Sequence, residues 1–160
     1  MEVLPADQFT FEQLTDAYNQ TRVDYLVPMP MNVARLREYA HVYDVDLPCS
    51  CVAVAGETML GLGMLGVRDG RSWITRLGVL PSGRRKGTGN AIMDWLIKHS
   101  AKNGVDAVWL EVIKGNDPAH RLFHKYGFTE TRDLIVARRP PGTDTGFQPS
   151  PIVSITNLGH

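Results

Sequence analysis

Cysteine is nearly absent from this 160-residue chain: Cys49 and Cys51 are the whole thiol inventory. Two apart on one strand they share a face, which makes a disulfide between them unfavourable. No metal-ligand spacing accompanies them, so they read as small buried hydrophobes and no metal is expected. Long apolar runs are also missing. Nothing approaches the roughly 20 residues that cross a bilayer, and Met1–Pro5 lacks the charged and apolar regions of a secretory leader. The expectation is a cytoplasmic protein without a membrane partner. Net charge is zero, so no basic footprint argues for nucleic acid. No internal repeat is visible, and the size fits one domain with a substantial core.

Charge is nevertheless divided. Residues 1–70 hold ten acidic against four basic side chains, a balance of −6, and the remainder seven against thirteen, a balance of +6. A basic half suits an anionic cofactor and an acidic half a cationic amine. Two phosphate motifs are excluded around Gly87: GxxxxGK[ST] fails at Thr88, and GxGxxG fails at Ile92. A formal GxGxxG does run from Gly61 through Gly63 to Gly66, but a turn and another strand follow it instead of a helix. That stretch reads as a small-residue strand beside another backbone or a ligand. A nicotinamide-dinucleotide oxidoreductase built on it is the weakest of three functional readings.

What is present is a strand, a basic glycine-bearing loop and a helix. The run from Ser72 to Leu80 is rich in β-formers and stops at Pro81. Arg84-Arg85-Lys86-Gly87-Thr88-Gly89-Asn90 follows, and Ala91, Ile92, Trp95, Leu96 and His99 then recur at helical spacing up to Gly104. Unpaired amides and the dipole at a helix N-terminus make an anion site. Glycine at positions 87 and 89 lets a phosphate approach the main chain. A phosphorylated cofactor is expected.

The rest of the chain reads as strand Glu2–Pro5, a helix opened by the capping-box pair Thr10 and Gln13, and a second helix capped by Asn32. Strands 50–55 and 59–67 follow, joined at Gly56. Asp69-Gly70 is a further hairpin signal. Val105–Ile113 is a strand, Asp117-Pro118 a cap with an N1 proline, and residues 128–131 and 134–138 a closing strand pair. The order β-α-α-β-β-β-α-β-α-β-β is a mixed α/β sheet over residues 1–139. A Pro/Gly-rich linker and tail then occupy 140–160.

Arg84-x-x-Gly87-x-Gly89 resembles the acyl-coenzyme A loop of the GNAT N-acetyltransferase superfamily. The block from Leu110 to Asn116, leading into Ala119, Leu122, Phe123, Gly127 and Phe128, is similar to that family's second cofactor segment. The resemblance implies a GNAT-like acyl-CoA N-acyltransferase fold, with a central, mostly antiparallel sheet flanked by helices. It implies acetyl-CoA as co-substrate and acetyl transfer to a primary amine of a small molecule or peptide. Leu77, Gly78 and Val79 would supply main-chain groups to the cofactor, Arg84, Arg85, Lys86, Gly87, Thr88, Gly89 and Asn90 its pyrophosphate site, and Asn116 and Phe123 further contacts.

Glu111, five residues before Asn116, is the candidate base; on a strand it would share an apolar face with Trp109 and Ile113, where a carboxylate is held protonated more readily. Phe123 stands where many members carry a tyrosine acid, and Tyr126 on the same helical stripe is the candidate substitute. The competing reading is a noncatalytic acyl-CoA-binding or sensing module. His120 and His124 do not meet the His-Glu-x-x-His zinc pattern and read as a polar helix face. Tandem members and sheet-paired homodimers occur in the family. The resemblance thus leaves the tail as a place where a second unit would begin and a homodimer as one assembly open to the chain.

Overall fold

The structure is a computed structural model that describes residues 1–135. Met1–Thr129 form a compact unit, and a second unit begins at Glu130. The expected boundary at residue 139, the linker and the tail lie outside the described residues.

Local chemistry sets the elements. β1 is Glu2–Pro5, followed by a short 3-10 turn over Ala6–Gln8. α1 spans Phe11–Gln20, and its capping box is complete: Thr10 Oγ1 accepts from Gln13 N–H, and Gln13 Oε1 accepts from Thr10 N–H. α2 spans Val33–Val42, with Asn32 Oδ1 accepting from Arg35 N–H. β2 (Cys51–Ala55) and β3 (Thr58–Arg68) form one hairpin. β3 and β4 (Arg71–Val79) form the next, turning at Asp69 and Gly70, both in the left-handed region (φ 49 and 70) that a two-residue hairpin turn requires. α3 is Thr88–Lys102, β5 Val108–Leu110 and α4 Asp117–Lys125.

The five strands lie in chain order. All neighbours are antiparallel except β4 and β5. α1 and α2 cover one face through Leu14, Ala17, Tyr18 and Leu36 against Val52, Val54, Leu62 and Met64. α3 and α4 cover the other through Ile92, Met93, Leu96 and Phe123 against Cys51, Ala53 and Ile74. Both thiols are free; Cys51 is fully buried, which pushes its pKa up to about 12.

Three expectations are corrected. β5 is three residues long instead of spanning Val105–Ile113, because its partner β4 diverges after Ile74. Asn116, one residue ahead of the expected Asp117, caps α4 by accepting from Ala119 N–H at 3.4 Å. Residues 128–135 form no strand: Phe128 N–H is taken by the Phe123 carbonyl at the end of α4, and the polar run from Thr129 to Asp133 offers no apolar alternation. Positions 136–138 of that expected pair lie outside the described residues.

The glycines of β3 explain the false dinucleotide motif. A Cβ on Gly63 would sit 2.5 Å from Ile92 Cγ2 and 2.8 Å from Leu96 Cδ1, and one on Gly61 would sit 2.6 Å from the Gly78 carbonyl. They bring helix and strand into contact and leave no phosphate cradle. Gly63→Ala is expected to destabilise the fold by about 1–3 kcal/mol through overpacking. Gly56→Ala, which meets nothing within 4 Å but holds φ at +58, should cost about 1 kcal/mol. Urea unfolding of the two variants measures the difference.

Candidate active site

The site begins with one surplus residue in β4. Met64 pairs with Arg76 and Leu65 with Ile74, leaving Thr75 without a partner. Such a bulge bends a strand and resets its alternation. Ile74, Leu77 and Val79 consequently all pack toward α3, which an unbroken period of two would forbid. β5 accompanies β4 only through the Ile74–Leu110 pair, so beyond it β4 has an open edge.

The main-chain direction along that edge is fixed. Leu80 N–H donates to the Leu60 carbonyl, so positions 76, 78 and 80 bond to β3, and Leu77 and Val79 turn theirs outward. The Leu77 carbonyl accepts from Arg22 Nη2 at 3.3 Å and the Val79 carbonyl from Arg84 Nε at 3.2 Å. Gly78 between them has no room for a side chain, since its Cβ would lie 2.4 Å from Thr21 Oγ1.

The loop after β4 makes a 3-10 turn over Pro81–Gly83 and passes through left-handed Arg85 (φ 60) and Gly87 (φ 82) into α3. Thr88 is buried, its hydroxyl donating to the Gly83 carbonyl at 2.8 Å. Ala91 N–H to the Gly87 carbonyl is the first bond of the helix, so the amides of Thr88, Gly89 and Asn90 have no partner within it. Arg85 and Lys86 are exposed and form no ion pair among the described residues. Arg84 differs. Its Nη1 and Nη2 grip Asp24 at 2.5 and 2.7 Å, and this hydrogen bonding holds the Asp24 carboxyl below its ordinary range and raises Arg84. Gly89 is a spacer: its Cβ would meet Leu122 of α4 at 3.3 Å.

The remaining candidates scatter. Asn116, as cap of α4, also reaches toward Tyr25 across the fold (Nδ2 to hydroxyl, 3.5 Å). Phe123 is buried with Phe128 against it, ring centroids 6.0 Å apart. The Tyr126 hydroxyl is 2.7 Å from Asp94 Oδ1 and 2.9 Å from the Asn90 carbonyl. Burial, then the hydrogen bond and charge of Asp94, push its pKa up to about 12. Asn90 Oδ1 accepts from Lys125 at 2.6 Å. Glu111 lies one residue past β5 and is exposed; the apolar strand face expected for it is not formed there, because pairing with β4 has already ended.

The profile of the Acetyltransferase (GNAT) family matches residues 11–128, which contain every element from α1 to α4. This chain belongs to the GNAT family. It is similar to the uncharacterized N-acetyltransferase YobR of Bacillus subtilis, 29% identical over 97 residues that cover 59% of this chain and 39% of that protein. The chain thus spans about two fifths of the length of that curated relative. Among solved structures it is similar to Ard1 from Thermoplasma volcanium (TM-score 0.69, 20% identity, 82% of this chain and 84% of that one). It is also similar to the PaiA N-acetyltransferase of Thermoplasma acidophilum in complex with coenzyme A (0.65, 18%, 83% and 94%).

In this GNAT unit the α1–α2 link, residues 21–32, falls within the segment from Tyr18 to Met31 that the family resemblance assigns to shaping the acceptor site; the contacts that fasten it were not legible in the sequence. It is pinned to the β4 edge by Arg22, to the loop by Asp24 and to the α4 cap by Tyr25. Asn19 closes it by bonding both main-chain groups of Met31, at 2.9 and 3.0 Å. A separate hollow of about 380 Å³ lies between α1 and the β2–β3 hairpin, lined by Gln13, Asp16, Glu57 and Ser82 among others. Leu80, directly after β4, also lines it, whereas Leu77, Val79 and the first residues of α3 do not.

Tyr126→Phe is expected to cost about 1 kcal/mol near neutrality by removing a half-exposed hydrogen bond. A raised pKa means that this contribution is complete below the ordinary tyrosine value of about 10. It is lost as pH climbs toward about 12, where the folded phenol ionises. Urea midpoints of variant and wild type should therefore converge over that range.

Proposed function

We propose that this protein transfers an acetyl group from acetyl-CoA to a primary amine by direct attack. The observation that carries the reading is the open β4 edge running straight into the unpaired amides of α3, within a chain of the GNAT family. Bound acetyl-CoA would supply an activated thioester carbonyl and an anionic pyrophosphate. The pyrophosphate fits the α3 N-terminus, where Arg85 and Lys86 are not engaged in ion pairs among the described residues. The outward N–H groups of Leu77 and Val79 suit an oxyanion forming on that carbonyl.

In the transfer a C–N bond forms as the C–S bond breaks. On this reading the ammonium proton leaves to Glu111, which follows the last β4–β5 pair, Ile74–Leu110, by one residue. The departing thiolate takes its proton from solvent, since the Tyr126 proton is committed to Asp94 and Asn90. That commitment, with Phe123 offering no proton, favours a second reading as a noncatalytic acyl-CoA-binding module. The fold and family suit soluble amine acceptors of small-molecule or peptide kind.

Thiol release from acetyl-CoA over a panel of amines, amino acids and peptides decides between the two. Turnover with at least one acceptor supports transfer; cofactor binding by calorimetry with silence across the panel supports the module. Arg85→Ala with Lys86→Ala should raise KM for acetyl-CoA about tenfold and leave kcat within about twofold, the signature of lost uniform binding. Glu111→Gln should lower kcat by about a hundredfold if it is the base.

A further inference from the structure

On the α1–α2 side of the β4 edge, two guanidiniums have no carboxylate. Arg22 stacks over Tyr25 and Tyr18, at 4.1 and 5.2 Å from the ring centroids, and Arg76 over Tyr39 and Tyr18, at 4.2 and 5.8 Å. Neither forms an ion pair among the described residues. The one acid near Arg22 in the chain, Asp24, is taken by Arg84. Arg22 Nε and Arg76 Nε are buried with no acceptor, and so is the hydroxyl of Tyr18, which is 1% exposed. Three polar groups left unsatisfied in one place are costly. Two like charges against one ring add repulsion, which aromatic faces offset only in part.

A planar anion would resolve all of this. Guanidinium groups match carboxylates in shape and charge, and a phenol donates to the same oxygens. The position decides what brings the anion: Arg22 also holds the Leu77 carbonyl, at the edge where acyl transfer is proposed, and the α1–α2 link leaves both arginines partly exposed. We propose that Arg22, Arg76 and Tyr18 bind the carboxylate of the acceptor, which is therefore an amino acid or another small amine bearing a carboxylate close to its nitrogen. The inference rests on the acyl-transfer reading for the word acceptor, and replaces the cationic amine that the acidic half of the sequence suggested.

The test reads the arginines directly. In the folded wild-type chain, the Nε–H resonances of Arg22 and Arg76, assigned through Arg22→Lys and Arg76→Lys, should shift on titration with N-acetylated amino acids and stay in place with the matching amides. Coenzyme A alone should not move them. No response to the acids, an equal response to the amides, or a response to coenzyme A that blocks the acids would each overturn the proposal. This readout needs no turnover, so a failed acyl-transfer reading and a failed carboxylate site remain distinguishable. Where turnover is found, amino acids should exceed their decarboxylated amines in kcat/KM by about tenfold to a hundredfold. Arg76→Gln should remove that preference while acetyl-CoA binding, measured by calorimetry, persists.

Discussion

One unpaired residue on β4 governs the arrangement. Thr75 has no partner on β3; past this bulge the pairing with β5 ends, the main-chain groups of Leu77 and Val79 face outward, and Arg76 lies against Tyr18 and Tyr39. Freed main-chain carbonyls in a sheet interior cost energy unless something satisfies them. Here side chains do: Arg22 on Leu77, Arg84 on Val79, and the Tyr39 hydroxyl toward Thr75, whose own hydroxyl it also bonds. The opening is thus held by specific donors from the α1–α2 link, α2 and the loop, not left as a gap between strands.

The second requirement is that α3 begin where the open edge ends. Glycines at 61 and 63 let Ile92 and Leu96 press directly onto β3, and Thr88 fastens the first turn of the helix to Gly83. The buried hydroxyl pair Ser72–Ser100 joins β4 to the far end of the same helix. With both ends fixed, the orphan amides of α3 face a defined direction, which loop residues alone would not guarantee.

Much of this was legible beforehand. Thr10 with Gln13, Asn32, and Asp69-Gly70 name their caps and turn through side-chain chemistry, and the apolar spacing of Ile92, Trp95 and Leu96 names a helix. The bulge was not legible, because Trp73-Ile74-Thr75-Arg76 reads as an ordinary strand and register is decided by the partner. β5 was overestimated for the same reason: Val105–Ile113 has strand composition throughout, yet pairing lasts only as long as β4 stays alongside. The closing strands were read at residues 128–131 and 134–138, yet the residues from Thr129 to Asp133 are polar without alternation. Arg22 and Arg76 escaped notice because they lie 54 positions apart in the sequence, and only the fold brings them to one tyrosine.

The grip of Arg84 on Asp24 joins the anion loop to the α1–α2 link. Both side chains are about half exposed, so the clasp is weak enough to be exchanged. An incoming polyanion that recruits this guanidinium releases the carboxylate and with it one anchor of the link. On the proposed reading, thermodynamic reciprocity would then apply: occupancy of either compartment would change affinity in the other by the same factor. Such a clasp would make the two binding events interdependent without any large displacement of the domain.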